Sequence, residues 1–436
     1  MNGLIPLMAA LVIVEAAVHG ASTTSSGRWI PGLAATGIAF AVILLVGEIA
    51  ARIIRRKHLR GRWAESWDTA AQTLALGLFA GIAWPGSWTG GWALLTTSYT
   101  VAILPWLALQ VGHWWTFARI TGWQRRDYVL HQVRFGLLPV LAALPVMDLC
   151  DQFARVTGYG HWLNTHLGLA ANAAGSFLVA ILLVALLPAL LVRLWGARPL
   201  PPGELQADLA AACGRFGVPV AGILIWPGEG GRVTNALVLG LVTRLRWILI
   251  TPDLLHEFPR SQLHAVLGHE LGHVRHHHLW LYLLFAACTG MLSWWLKDPL
   301  VDLASQHLPW ALDREILRVV VGLTLLALLW RLVFGALSRA CERQADLAGM
   351  ELAGDSGAMP AALLAVARQQ GGDPDAPSWR HGPISRRAAF LAAAVADPAL
   401  AAHHHRLIRR WTIGLIAAAG ALAILLLTTR HDLLPG

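Results

Sequence analysis

The chain has 436 residues, more than one compact soluble domain needs, so two or more structural units fit within it. Apolar residues make up 56 % and charged residues only 14 %, against about 25 % charged in a soluble domain. The net charge is +9, but the basic residues form short clusters between apolar runs, a pattern of membrane topology that argues against a nucleic-acid partner. The 21 tryptophans, many beside apolar runs as in Trp114–Trp115 and Trp294–Trp295, suit a membrane interface. The four cysteines (Cys150, Cys213, Cys288, Cys341) have no CxxC or zinc-finger spacing and suggest no disulfide framework.

Crossing a hydrocarbon core takes about 20 apolar residues. In chain order, spans are expected near 3–19, 33–51, 69–85, 92–112, 135–149, 174–194, 279–296, 316–337 and 411–428. The first lacks a basic leading region and is interrupted by Glu15, so it does not read as a cleavable signal peptide. Glu15 and Glu48 lie near span ends; interfacial snorkelling or an ion pair, Glu48 with Arg52, is the expectation. Arg52, Arg55, Arg56, Lys57, Arg60 and Arg62 follow the second span. Arg119, Arg125, Arg126 and Arg134 follow the fourth, and Arg193 and Arg198 the sixth. With about nine spans these clusters share one side, the cytoplasmic one. Segments 196–278 and 338–408 then lie together in the cytoplasm, in a multi-pass protein of the bacterial inner (cytoplasmic) membrane.

The expected architecture is predominantly α: a polytopic membrane protein carrying a cytoplasmic α+β unit. Residues 1–195 form an N-terminal membrane domain. Residues 196–408 form the polar, chemistry-bearing domain, interrupted by the spans near 279–296 and 316–337. Residues 409–436 form a last span and tail. The polar part opens with Pro199-Leu-Pro-Pro202 and a helix over 203–216. Short apolar runs at Gly222–Trp226, Thr234–Leu241 and Trp247–Thr251 then predict a small antiparallel sheet. A helix is expected after Pro259, with Ser261 as its N-cap, running through 261–278 and into the seventh span. The eighth span runs on into a helix over 338–352. His403–His405 reads as a solvated or interfacial patch rather than a metal site, and His276–His278 as interfacial or supporting residues.

His269-Glu-Leu-Gly-His273 falls on that predicted helix. His269 and His273 are four residues apart, so both imidazoles leave one helix face and can share a zinc ion. Glu270, beside the first of them, can take a proton from a water. A catalytic zinc needs a third protein ligand. Ser338-Arg-Ala-Cys-Glu-Arg-Gln-Ala-Asp346 supplies one: Glu342 and Asp346 share a helix face. Glu342 completes a His/His/Glu set, and Asp346 can accept a hydrogen bond from a zinc histidine. Without the upstream motif, the same pair reads as surface carboxylates beside Arg339 and Arg343.

These motifs, with Asn235-Ala-Leu-Val-Leu-Gly240, Ile248-Leu-Ile-Thr-Pro-Asp-Leu-Leu255 and His381-Gly-Pro-Ile-Ser-Arg-Arg387 with Leu391, resemble the membrane-embedded zinc metalloproteases that include HtpX and the type 1 CAAX prenyl protease. The resemblance covers about 230–391. It implies a gluzincin metalloendopeptidase with one zinc per chain on His269, His273 and Glu342, and Glu270 as general base. It further implies that Asn235 and Ala236 bind an extended substrate along a strand, and that His381 or Arg387 steadies the substrate carbonyl or oxyanion. Gly382 stands where the family has Pro, and Leu237 where Phe is common. The implied partners are a membrane-associated peptide or protein substrate and the lipid bilayer. The alternative is a membrane sensor whose zinc protease domain cleaves a cytoplasmic regulator.

Overall fold

The computed structural model describes Ala10, residues 13–14, 29–56, 62–83, 99–141, 144–227, 235–307, 314–369, 373–375 and 378–429. Glu15 and most of the run 3–19 lie outside the described residues. In chain order the elements are α1 (Trp29–Arg56), α2 (Arg62–Ala83), α3 (Tyr99–Ala102), α4 (Leu104–Thr121), α5 (Arg125–His131), α6 (Leu138–Leu141), α7 (Leu144–Val156) and α8 (Tyr159–Leu194). There follow β1 (Arg198–Pro199), α9 (Glu204–Arg215), β2 (Gly222–Ile225), β3 (Ala236–Leu239), β4 (Trp247–Ile250), α10 (Pro252–Glu257) and α11 (Arg260–Arg275). The chain continues through α12 (His278–His307), α13 (Arg314–Leu328), α14 (Gly335–Ala353), α15 (Ala358–Gln369), α16 (Ile384–Ala396) and α17 (Pro398–Thr429). A π turn, Leu329–Phe334, joins α13 to α14, so the helix expected over 338–352 does continue from an apolar run.

Four helical stretches among the described residues are long and apolar enough to cross a membrane: Gly32–Arg56, His278–His307, Val320–Ala353 and Pro398–Leu426. Their outward residues are apolar, among them Leu33, Ile38 and Leu45 on α1 and Ile413, Ile416 and Ile424 on α17, each more than half exposed. Exposed apolar rows along long helices are what a lipid environment stabilises and water does not. The run 135–149 is divided instead among the π turn Gln132–Leu137, α6 and α7.

The chain divides into two units, Met1–Trp162 with Leu300–Leu323, and Leu163–Pro299 with Thr324–Gly436. The first has a core of Phe79, Ile103, Trp106 and Leu109, all essentially inaccessible. There Glu48 pairs with Arg119 and, at 2.7 Å, with Arg125, rather than meeting the expectation of an Arg52 partner. The reason is tertiary: α1 packs along α4, whose arginine ends beside Glu48.

In the second unit the four strands order β1-β2-β4-β3, and the sheet is mixed, not antiparallel. β2 runs parallel to β4, and β3 pairs antiparallel on the far side of β4. Both central strands are continuous apolar runs, Gly-Ile-Leu-Ile and Trp-Ile-Leu-Ile, as buried parallel strands are. β3 and β4 are consecutive strands and pair antiparallel. β3 is an edge strand. Alternation along it turns the backbone groups of Leu237 and Leu239 towards β4 and those of Ala236 and Val238 away from it.

The helix after Pro259 also differs from expectation. It begins at Arg260, with Pro259 at the cap and Ser261 inside the first turn. It stops at Arg275, because His277 takes a left-handed backbone (φ 56°), and α12 restarts at His278. A non-glycine residue in that region is uncommon and disfavoured, and it marks a place where surrounding contacts demand the turn.

Candidate active site

The site is built on two crossing helices. α11 carries His269, Glu270 and His273, and α14 carries Glu342 and Asp346. Small residues let the helices approach until backbones touch. A Cβ on Gly268 would lie 2.9 Å from both the Ala348 carbonyl oxygen and the Gly349 Cα. One on Gly349 would lie 2.5 Å from the Ala265 carbonyl oxygen. Any side chain there would force the helices apart and separate the histidines from the glutamate.

That approach brings the three expected metal ligands together, with donor atoms all within 4.8 Å of one another. His269 Nε2 and His273 Nε2 are 3.3 Å apart, and each lies 3.8 Å from a Glu342 carboxylate oxygen. Glu342 and Asp346 are 4 % and 0 % exposed, so the surface-pair reading of these carboxylates is excluded. The His269 Nδ1–H donates to Asp346 Oδ1 at 2.9 Å, which leaves the His269 Nε2 lone pair facing Glu342 and His273. Burial, then the neighbouring His269, push His273 well below its usual pKa, towards the neutral form that ligates metal. Two imidazoles and a carboxylate converging in this way are a donor set that fits zinc.

Glu270 points from α11 to the sheet edge, where its Oε2 accepts the Val238 N–H at 3.1 Å. Burial raises its carboxyl above the ordinary glutamate range. Val238 was not legible as a site residue, since nothing in an apolar strand reveals which N–H groups face outward. The neighbouring residues behave differently. The Asn235 N–H donates to Thr251 Oγ1, and its carbonyl accepts from both the Thr251 N–H and hydroxyl, so its backbone faces β4. Ala236 and Val238 hold the outward groups.

His381, in the loop before α16, reaches Glu342 Oε1 through Nδ1 at 2.9 Å, with about half of its side chain exposed. Arg387 is 8 % exposed. Its fork donates to Asp346 through Nε at 2.7 Å and a terminal nitrogen at 2.5 Å, and another nitrogen lies 3.2 Å from Glu342. Burial opposes the charge on Arg387, but Asp346 overcomes it and holds the pKa above the ordinary value. All the expected site residues except Asn235 thus have a side chain or an outward backbone group in one region. Two histidine tracts also enter it. His278 Nδ1 is 2.9 Å from His273 Nδ1, and the tract read as a solvated patch is partly buried, with His404 Nε2 donating to the Ala340 carbonyl at 2.8 Å.

The helix bearing HExxH thus lies against a second helix bearing the glutamate and its aspartate. Residues 203–410 match peptidase family M48. A protease HtpX homologue of Pyrobaculum islandicum is 31 % identical over 221 residues, 48 % of this chain and 60 % of the relative. One of Thermococcus kodakarensis is 27 % identical over 170 residues, 37 % of this chain and 56 % of the relative. The chain therefore spans less than two thirds of the length of these relatives. The crystal structure of S. mikatae Ste24p superposes with a TM-score of 0.52 at 17 % identity, over 90 % of this chain and 98 % of that one, a likeness of fold. Residues 203–410, just under half of the chain, are thus similar to peptidase family M48 and to protease HtpX homologues.

Proposed function

We propose that this protein is an integral-membrane zinc metalloendopeptidase that hydrolyses peptide bonds in membrane-associated proteins or peptides. The observation that carries this reading is the convergence of His269, His273 and Glu342 beside Glu270, directly under the outward edge of β3. His269, His273 and Glu342 would hold one zinc ion. Bound there, zinc supplies a Lewis acid that polarises a carbonyl and lowers the pKa of a water from 15.7 to about 7.

The chain's own residues do the rest. Ala236 and Val238 offer outward N–H and C=O groups on which an extended substrate adds as a further strand. Pairing at Val238 takes the N–H that Glu270 now accepts, and so frees that carboxylate. Glu270 then removes a proton from the attacking water and returns it to the leaving amine. His381, exposed to the cleft, donates to the oxyanion. Arg387 is assigned to holding Asp346 and Glu342 in place, because its donors already meet those carboxylates. The substrates are of the kind expected from HtpX-like quality control or prenyl-protease-like processing. The arginine clusters support a cytoplasmic active site in a bacterial inner membrane.

The test is zinc content and proteolysis by detergent-purified protein. About one zinc per chain is expected in wild type, with large loss in Glu342→Ala. Cleavage of an unfolded membrane protein or of a prenylated C-terminal peptide should stop on chelation and return with zinc. Wild type that stays zinc-free after zinc is added back would overturn the reading.

A further inference from the structure

Two imidazole nitrogens 3.3 Å apart can relate in two ways. The His273 Nε2 can carry a proton and donate it to His269, or present a lone pair to a metal. His269 is set by Asp346, but among the described residues no carboxylate is within hydrogen-bonding reach of His273 Nδ1; its partner is His278 Nδ1 at 2.9 Å. His278 in turn meets the Gln344 carbonyl oxygen through Nε2 at 2.9 Å, and the Gln344 amide nitrogen meets His405 Nδ1 at 2.7 Å. His278 is 0 % exposed and Gln344 4 %, so water does not substitute for these partners.

The directions along this chain are not independent. The Gln344 nitrogen only donates, so His405 Nδ1 accepts. The Gln344 oxygen only accepts, so the His278 Nε2 carries a proton. Neutral His278 then offers a lone pair at Nδ1, which accepts the His273 Nδ1–H. His273 is left with its Nε2 lone pair turned to His269 and Glu342. Were the amide reversed, every bond would reverse, and a proton would stand on the ligating nitrogen.

We infer that His278, Gln344 and His405 form a directional hydrogen-bond chain that fixes the tautomer of His273 and so presents its Nε2 to the metal. The inference rests on the zinc-peptidase reading. Gln344 and His405 are positioning residues, and the left-handed turn at His277 is what returns the His278 ring to His273. Gln344 stands between Glu342 and Asp346 in sequence but on another face of α14. The chain thus draws on the histidine runs at 276–278 and 403–405, neither of which is part of the HExxH motif.

Zinc affinity, measured by chelator competition on the full-length protein in detergent, tests direction rather than packing. Gln344→Met removes the acceptor and should weaken zinc binding about 10- to 100-fold, the usual cost of losing an outer partner of a ligand. Gln344→Glu retains an acceptor and no donor, so it should bind zinc nearly as wild type does. His405→Ala should weaken binding alone, because the amide is then free to turn, yet have no effect in the Gln344→Glu background. Undiminished affinity in Gln344→Met, an equal loss in Gln344→Glu, or a His405→Ala loss that persists beside Gln344→Glu would each overturn the inference while leaving the peptidase reading intact. Should Gln344→Met fail to fold, the Gln344→Glu and His405→Ala pair still decides. Zinc-free wild type would overturn both.

Discussion

His269 Nδ1 stands 2.9 Å from Oδ1 of Asp346, a residue one helical turn beyond Glu342 on the facing helix. This bond holds the imidazole with its other nitrogen aimed at Glu342 and His273. Both Asp346 oxygens are engaged, since Arg387 donates to each of them as well.

Asp346→Asn therefore turns an amide N–H2 towards a donor, either His269 or Arg387. Zinc affinity is expected to fall about 10- to 100-fold. Isothermal titration of the apoprotein with zinc checks this. Unchanged affinity would mean that Asp346 serves only to neutralise Arg387.

Glu270→Gln keeps the shape of the side chain and removes the base. Proteolysis is expected to fall by about 10²- to 10⁴-fold in kcat, with zinc content preserved. Metal analysis beside single-turnover cleavage separates the two. Residual activity near wild type would assign proton transfer to another group.

Val238→Pro deletes one outward N–H of β3 without touching the ladder to β4. The fold and the zinc should persist while KM for an extended peptide rises, since strand addition loses a main-chain hydrogen bond worth roughly 0.5–1.5 kcal/mol. Leu237→Pro removes an N–H that faces β4 and should destabilise the sheet instead. Equal effects from the two substitutions would contradict edge-strand binding.

His381→Ala should lower kcat with little change in zinc affinity, because the side chain reaches Glu342 from the exposed side of the cleft. A loss of zinc comparable to that in Glu342→Ala would make His381 a support of the metal site rather than an oxyanion contact.

Gly268→Ala places a methyl 2.7 Å from the Leu352 Cβ and against the backbone of α14. Overpacking of this kind costs about 1–3 kcal/mol. A lowered thermal midpoint together with weakened zinc binding is expected. A drop in midpoint with full zinc affinity would show that the helix seam does not govern ligand geometry.

The helix faces that carry the His269, His273 and Glu342 group were legible because the spacing is local. His269 and His273 lie one turn apart on one helix, as do Glu342 and Asp346, and helical periodicity alone puts each pair on a common face. Membrane-spanning character was likewise legible, since long apolar runs have few alternatives, although four described stretches meet the criterion where about nine were expected. The direction of the β2–β4 pairing was not, because four-residue apolar runs carry no sign of which neighbour they face. Nor was the break at His277, which no propensity favours. The roles of Val238, His278, Gln344 and His405 depend on contacts between segments distant in the chain. Sequence by itself determined which side chains could bind a metal and on which helix faces they stand. Tertiary structure decided which of their partners fix a proton, because Asp346, His278 and Gln344 come to the two histidines from other helices.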